Sequence, residues 1–177
     1  MPKWFGGSAL NPDGIIPKDK QWQIQWDRVT RYFERSILIK MTMFSGRQGL
    51  TKFEIDDLIT FFLHAYHLKD WIKSCRPDQK EKLSVLFSNF EMQCCRDLAN
   101  GFKHKKLINP SVDADFNFYR EFDCFALEKG NKNTVLFRIA FEDKNHNIKK
   151  FDTFELIQTV YKHWKDFIKK NLIDENK

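Results

Sequence analysis

Apolar residues recur along most of the chain at steps of three and four, the period of an α-helix with one buried face. From Asp19 to Phe44 the stripe is Trp22, Trp26, Val29, Phe33, Ile37 and Met41, which predicts a first long helix; Ser45-Gly46-Arg47-Gln48-Gly49 then breaks it. A second helix begins at Thr51, where Thr51 and Glu54 have capping-box spacing and Leu50 with Ile55 stands as a hydrophobic staple. It runs to about Cys75 and stops ahead of Pro77, because the residue before a proline is pushed away from helical geometry. A third repeats the device. Asp78 is its expected cap, Glu81 follows three residues on, and Leu83, Leu86, Phe87, Phe90, Cys94 and Leu98 form the inner stripe, fading between Gly101 and Ile108.

The period then changes to two. Val135, Phe137, Ile139 and Phe141 alternate with Leu136, Arg138, Ala140 and Glu142, and upstream Phe116, Phe118, Phe122 and Cys124 alternate as well. With Lys129-Gly130-Asn131-Lys132-Asn133 as a turn, these segments predict an antiparallel hairpin, and a short third strand fits Ile148 to Phe151. Asp152 then caps a final helix, with Glu155 at the third position, Phe151 and Leu156 as staple, and Ile157, Val160, Tyr161, Trp164 and Ile168 on its apolar face. The expected fold is mainly α: an antiparallel bundle of three long helices plus a C-terminal helix, with a β-hairpin inserted at residues 114–151 before the last helix. Residues 1–18, with Pro2, Pro12 and Pro17, read as an irregular arm tethered by Trp4 and Phe5.

A chain of 177 residues suits one domain with a real core, and 42% apolar residues, 18 of all residues being Phe, exclude global disorder. No apolar run approaches the length of a membrane span. The N-terminus lacks the uninterrupted apolar core of a signal peptide, so the expected location is cytoplasmic, with no membrane partner. Cys75, Cys94, Cys95 and Cys124 show no C-x-x-C zinc pattern, and a vicinal pair on a helix does not form a relaxed disulfide; all four are expected as reduced thiols. The formal charge of +6 favours anionic partners such as nucleic acid.

The segment richest in chemistry is Cys95 to Lys106. At about 100° per residue, Asn100 lies roughly 40° round from Arg96 and His104 roughly 80°, with Lys103 beside them. One helix face thus carries a guanidinium, an amide, an imidazole and an ammonium. The imidazole can move a proton near neutral pH. The guanidinium can hold a phosphodiester bidentately and favour its more highly charged transition state. Asn100 can orient the ribose or the imidazole, and Lys103, Lys105 and Lys106 can hold the backbone of RNA. A polar face opposite an apolar one is ordinarily just solvated surface, and Lys103-His104-Lys105-Lys106 also suits a helix C-terminus electrostatically.

The same segment resembles the active helix of HEPN-domain proteins, helical ribonuclease toxins and nucleotide-binding bundles of prokaryotes. Their motif is an arginine, commonly followed by a polar residue, then four to six residues, then histidine; here Arg96 is followed by Asp97 and, after seven intervening residues, by His104. The resemblance implies metal-independent RNA cleavage by attack of the ribose 2′-hydroxyl, with no cofactor, in a homodimer whose two active helices line one cleft. It also implies a toxin or antiviral-defence role, with an antitoxin or regulatory protein as partner. Arg96, Asn100 and His104 would be catalytic, with Asp97, His67 and Asp70 in support.

Two readings from other classes stand beside this one. The same bundle can serve as a non-catalytic module that binds a nucleotide, nucleic acid or a partner protein. Alternatively, His64, His67 and Asp70, at successive three-residue steps on the second helix, can act in a metal-dependent hydrolase, though they lack the general-base glutamate of H-E-x-x-H and a fourth ligand. Packing, with Asp70 orienting His67, accounts for them without a metal, and no metal is assigned. The Trp and Phe residues of the first and last helices fall at core spacing rather than forming a base-stacking platform. Lys149-Lys150 and Lys169-Lys170 read as solvated charges, and Gly6-Gly7-Ser8 lacks the lysine of a phosphate loop.

Overall fold

The computed structural model describes residues 16–44, 50–103, 114–122, 135–143 and 148–173. A 3-10 turn at Lys18–Lys20 leads into helix α1, Trp22–Phe44, and α2 spans Lys52–Cys75. After a second 3-10 turn at Pro77–Gln79 come α3, Lys80–Leu86, and α4, Phe90–Lys103. Strands β1 (Ala114–Phe122), β2 (Val135–Asp143) and β3 (Ile148–Asp152) precede the last helix, α5, Thr153–Asn171. The fold is mainly α, a helical bundle with a small antiparallel sheet inserted before its last helix. The expected arm up to residue 15, the break at 45–49 and the hairpin turn at 129–133 lie outside the described residues.

Two caps form as their spacing predicts. Thr51 Oγ1 accepts from the Glu54 amide at 3.2 Å while the Thr51 amide donates to Glu54 Oε2 at 2.8 Å, so two otherwise orphaned N–H groups are satisfied at the start of α2. The Asp152 carboxylate accepts from the Phe154 and Glu155 amides, both at 3.0 Å, and starts α5. The third predicted helix departs from expectation. Asp78 does not cap it: its carboxylate is held by the fork of Arg76, at 3.1 Å from both Nε and Nη2, and by the Gln79 amide. The helix also breaks at Phe87-Ser88-Asn89. Ser88 Oγ donates to the Val85 carbonyl at 2.7 Å and Asn89 Nδ2 to the Leu86 carbonyl at 2.8 Å, so short polar side chains take the carbonyls that a continuous helix would use.

Cross-helix contacts fix the directions. Gln25 meets His64 and Arg35 meets Asp57, so α1 and α2 are antiparallel. Cys95 Sγ donates to the Phe62 carbonyl at 3.7 Å while Phe87 lies against Tyr66, so α4 also runs antiparallel to α2. Helix α2 is central: Leu58, Phe61, Phe62, Ala65, Leu68 and Ile72 are all fully buried, and it packs on α1, α4 and α5. Along α1 the inner stripe drifts. Trp22 and Val29 are buried and Trp26 and Phe33 half-buried, but further on Ser36 and Ile39 turn inward and Met41, predicted inside, is 63% exposed. The aromatic rings of α1 meet α5 through Tyr161, stacked on Phe33 at 3.8 Å and on Trp26 at 5.0 Å.

The sheet has the order β1-β2-β3 and is antiparallel throughout. Its register pairs Phe116 with Phe141, Phe118 with Ile139 and Phe122 with Val135, so the two alternating sets read from the sequence share one face. Ile139 is opposite Phe151 on the other side and is fully buried. Phe151 meets Phe90 of α4 at 5.5 Å, which seats β3 beside the first turn of that helix.

Candidate functional site

Helix α4 carries the predicted chemistry, and its surroundings differ from those of a solvated face. From Phe90 to Gly101 no residue is exposed. Met92, Cys94, Cys95, Leu98 and Ala99 are buried as an apolar face requires, and Asp97 is buried with them, at 1% exposure. Arg96 and Asn100, one turn apart, are half-buried. Arg96 and Asp97 each engage further groups, so neither stands free. A carboxylate withdrawn from water costs several kcal/mol unless it is charge-paired and hydrogen-bonded. Lys103 is the last described residue of α4. His104, Lys105 and Lys106 lie outside the described residues.

Arg96 and Asn100, one turn apart, share a half-buried face of α4 beside the buried Asp97, and His67 and Asp70 lie apart from them. Because α2 and α4 are antiparallel, His67 and Asp70 lie toward the Phe87 end of the pair, whereas Asn100 lies beyond Cys95 in the opposite direction. His67 Nδ1 is 3.7 Å from Asp70 Oδ2, the ion-pair geometry expected of that spacing, and the His67 ring leans on Tyr66 at 5.8 Å. His64 faces α1. The Gln25 amide Nε2 is 3.1 Å from His64 Nδ1 and donates to the His64 carbonyl at 3.0 Å. Burial, then the charges of Arg28, His67 and Arg31, lower the His64 pKa to about 4, which keeps the ring neutral at physiological pH. His64 is thus a packing residue engaged with α1, and among the described residues no three His, Cys, Asp or Glu side chains gather as a metal site would need.

The buried Cys95 is not poised as a nucleophile. Cys75, Cys94 and Cys95 form no disulfide, and burial pushes the Cys95 thiol far above its ordinary range, where no thiolate forms near neutral pH. Cys124 lies outside the described residues.

Two features escaped the sequence reading. Lys69 is folded inward, its side chain 18% exposed, with Nζ 4.2 Å from the Tyr66 ring centre and 5.4 Å from that of Phe87. An ammonium over two aromatic faces is held by their quadrupoles, and it pins α2 to the α3–α4 junction. The second is an open groove of about 540 Å³ between α3 and α5, lined in part by Lys170, which read as a solvated charge. Lys169 and Lys170 are exposed, as is Lys150, which also engages a further group.

No family model, curated protein or solved structure matches the chain. No helix among the described residues is long and apolar enough to cross a membrane.

Proposed function

We propose that the chain is an endoribonuclease of HEPN type, with its reaction centre at the C-terminal half of α4. The observation that supports this reading is the buried Asp97 flanked by half-buried Arg96 and Asn100 on a helix with no exposed residue from Phe90 to Gly101. Ordinary solvated surface does not account for that arrangement, and in the sequence Gly101-Phe102 is followed by Lys103-His104-Lys105-Lys106.

In the proposed reaction the ribose 2′-oxygen attacks phosphorus and loses its proton to a base. The bond from phosphorus to the 5′-oxygen breaks, and that oxygen takes up a proton. The products are a 2′,3′-cyclic phosphate and a 5′-hydroxyl. His104 is assigned the proton transfer, Arg96 the charge that builds on the phosphoryl oxygens, and Asn100 the orientation of the ribose or the imidazole. Asp97 positions Arg96, and the lysines hold the RNA backbone as point charges. In the proposed homodimer two α4 helices face one cleft.

Incubation with total RNA in EDTA, followed by end analysis, tests the reading. Fragments ending in 2′,3′-cyclic phosphate are expected. Intact RNA, with the same protein retaining RNA on a filter, would instead favour a non-catalytic binding module.

A further inference from the structure

The groove between α3 and α5 lies at the opposite end of α4 from Asn100, roughly 15 Å away along the helix axis. It is therefore a separate place from the proposed reaction centre. Its floor is apolar, made by Leu86 and Phe167, and Val85 beside them is 69% exposed. An open volume of about 540 Å³ with an apolar floor and a rim of polar and charged side chains is large enough for a small molecule.

The polar groups say which kind of molecule. Groove-lining carbonyls in the last turn of a helix would ordinarily repel an anion. Here Asn89 Nδ2 donates to the Leu86 carbonyl at 2.8 Å and Asn171 Nδ2 donates to the Phe167 carbonyl at 2.9 Å, so both are engaged. His163 is held from outside by Glu91, at 3.6 Å. What remains are Lys82, Lys170 and Asp166, none with an ion-pair partner among the described residues. Two ammonium groups against one carboxylate leave a single positive charge above an apolar floor.

We propose that this groove binds a small amphipathic monoanion, its apolar body on Val85, Leu86 and Phe167 and its one carboxylate met by Lys82 and Lys170. A polyanion would meet Asp166, and an uncharged hydrocarbon would leave the two ammonium groups uncompensated. Dodecanoate, below its micellar concentration, is the probe, with dodecanol as the neutral counterpart and anilinonaphthalene sulfonate as an aromatic monoanion. Each is titrated into the full chain by calorimetry or fluorescence.

One site per chain is expected for either monoanion, with dodecanol weaker by on the order of tenfold. The double substitution Lys82→Gln/Lys170→Gln should weaken the anions by a similar factor, and Val85→Glu, at an exposed position, should abolish binding with the helical circular dichroism unchanged. Failure of both monoanions to bind, or binding that survives both variants or favours dodecanol, overturns the proposal. Neither result bears on RNA cleavage.

Discussion

Gln25, buried on α1, joins its amide to His64 on α2: Nε2 is 3.1 Å from the ring Nδ1 and 3.0 Å from the His64 carbonyl, while its Oε1 accepts from Arg28 at 3.3 Å. Every polar atom of the buried amide is thereby used, as a carboxamide at 1% exposure requires. The amide donates, so Nδ1 must accept, and the neutral imidazole carries its proton on Nε2.

The His64 titration follows from that relationship. Its folded pKa is lowered to about 4 from an ordinary value of 6.5, so between those values the unfolded chain binds the proton and the folded chain does not. The stabilisation is complete above pH 6.5 and is lost as pH falls through about 4. Proton NMR of the His64 ring should show a midpoint near 4; a midpoint near 6.5 contradicts the buried pairing.

The stack of Tyr161 on Phe33 and Trp26 is the main aromatic tie between α5 and α1. Tyr161→Ala should cost about 3 kcal/mol, the usual range for emptying an aromatic site plus its ring contacts. Met41→Ala and Phe53→Ala, at residues 63% and 83% exposed, should each stay within about 0.5 kcal/mol. Urea unfolding monitored by circular dichroism gives all three values. Equal costs would contradict the burial pattern.

The two aspartates read as caps should behave differently. Asp152→Ala should cost about 1 kcal/mol, since it strips two amides at the start of α5 of their acceptor. Asp78→Ala removes an exposed pairing with Arg76 and should leave the urea midpoint nearly unchanged. A loss at Asp78 as large as that at Asp152 would mean that Asp78 caps a helix after all.

The caps at Thr51 and Asp152 and the alternation paired across β1 and β2 were legible because each is a local rule, written within four residues or by a period of two. The break at Ser88-Asn89 was hidden by an apolar period that runs on through it, Leu86, Phe87, Phe90, although two short polar side chains in succession were its signal. Asp97 was legible as part of a motif but not as buried, because burial depends on how the rest of the chain packs on α4. The groove had no local signature at all: Leu86 and Phe167 are far apart in the chain and meet only in the folded protein. On the candidate site, residue types were readable and environment was not. Arg96 looked like a surface residue whose loss would spare stability, yet its half-buried position means Arg96→Ala should also loosen the fold. Arg96→Lys is the better probe, since it keeps the charge and removes the bidentate fork.

The central claim is tested by the initial rate of RNA cleavage, in EDTA, by wild type, His104→Ala and Arg96→Lys at equal protein concentration. The account predicts fragments with 2′,3′-cyclic phosphate ends from wild type. It predicts a loss of about 10²–10⁴ in rate for His104→Ala and about 10²–10³ for Arg96→Lys, with both variants retaining helical circular dichroism. Intact RNA with wild type, or His104→Ala cutting at the wild-type rate, would contradict it.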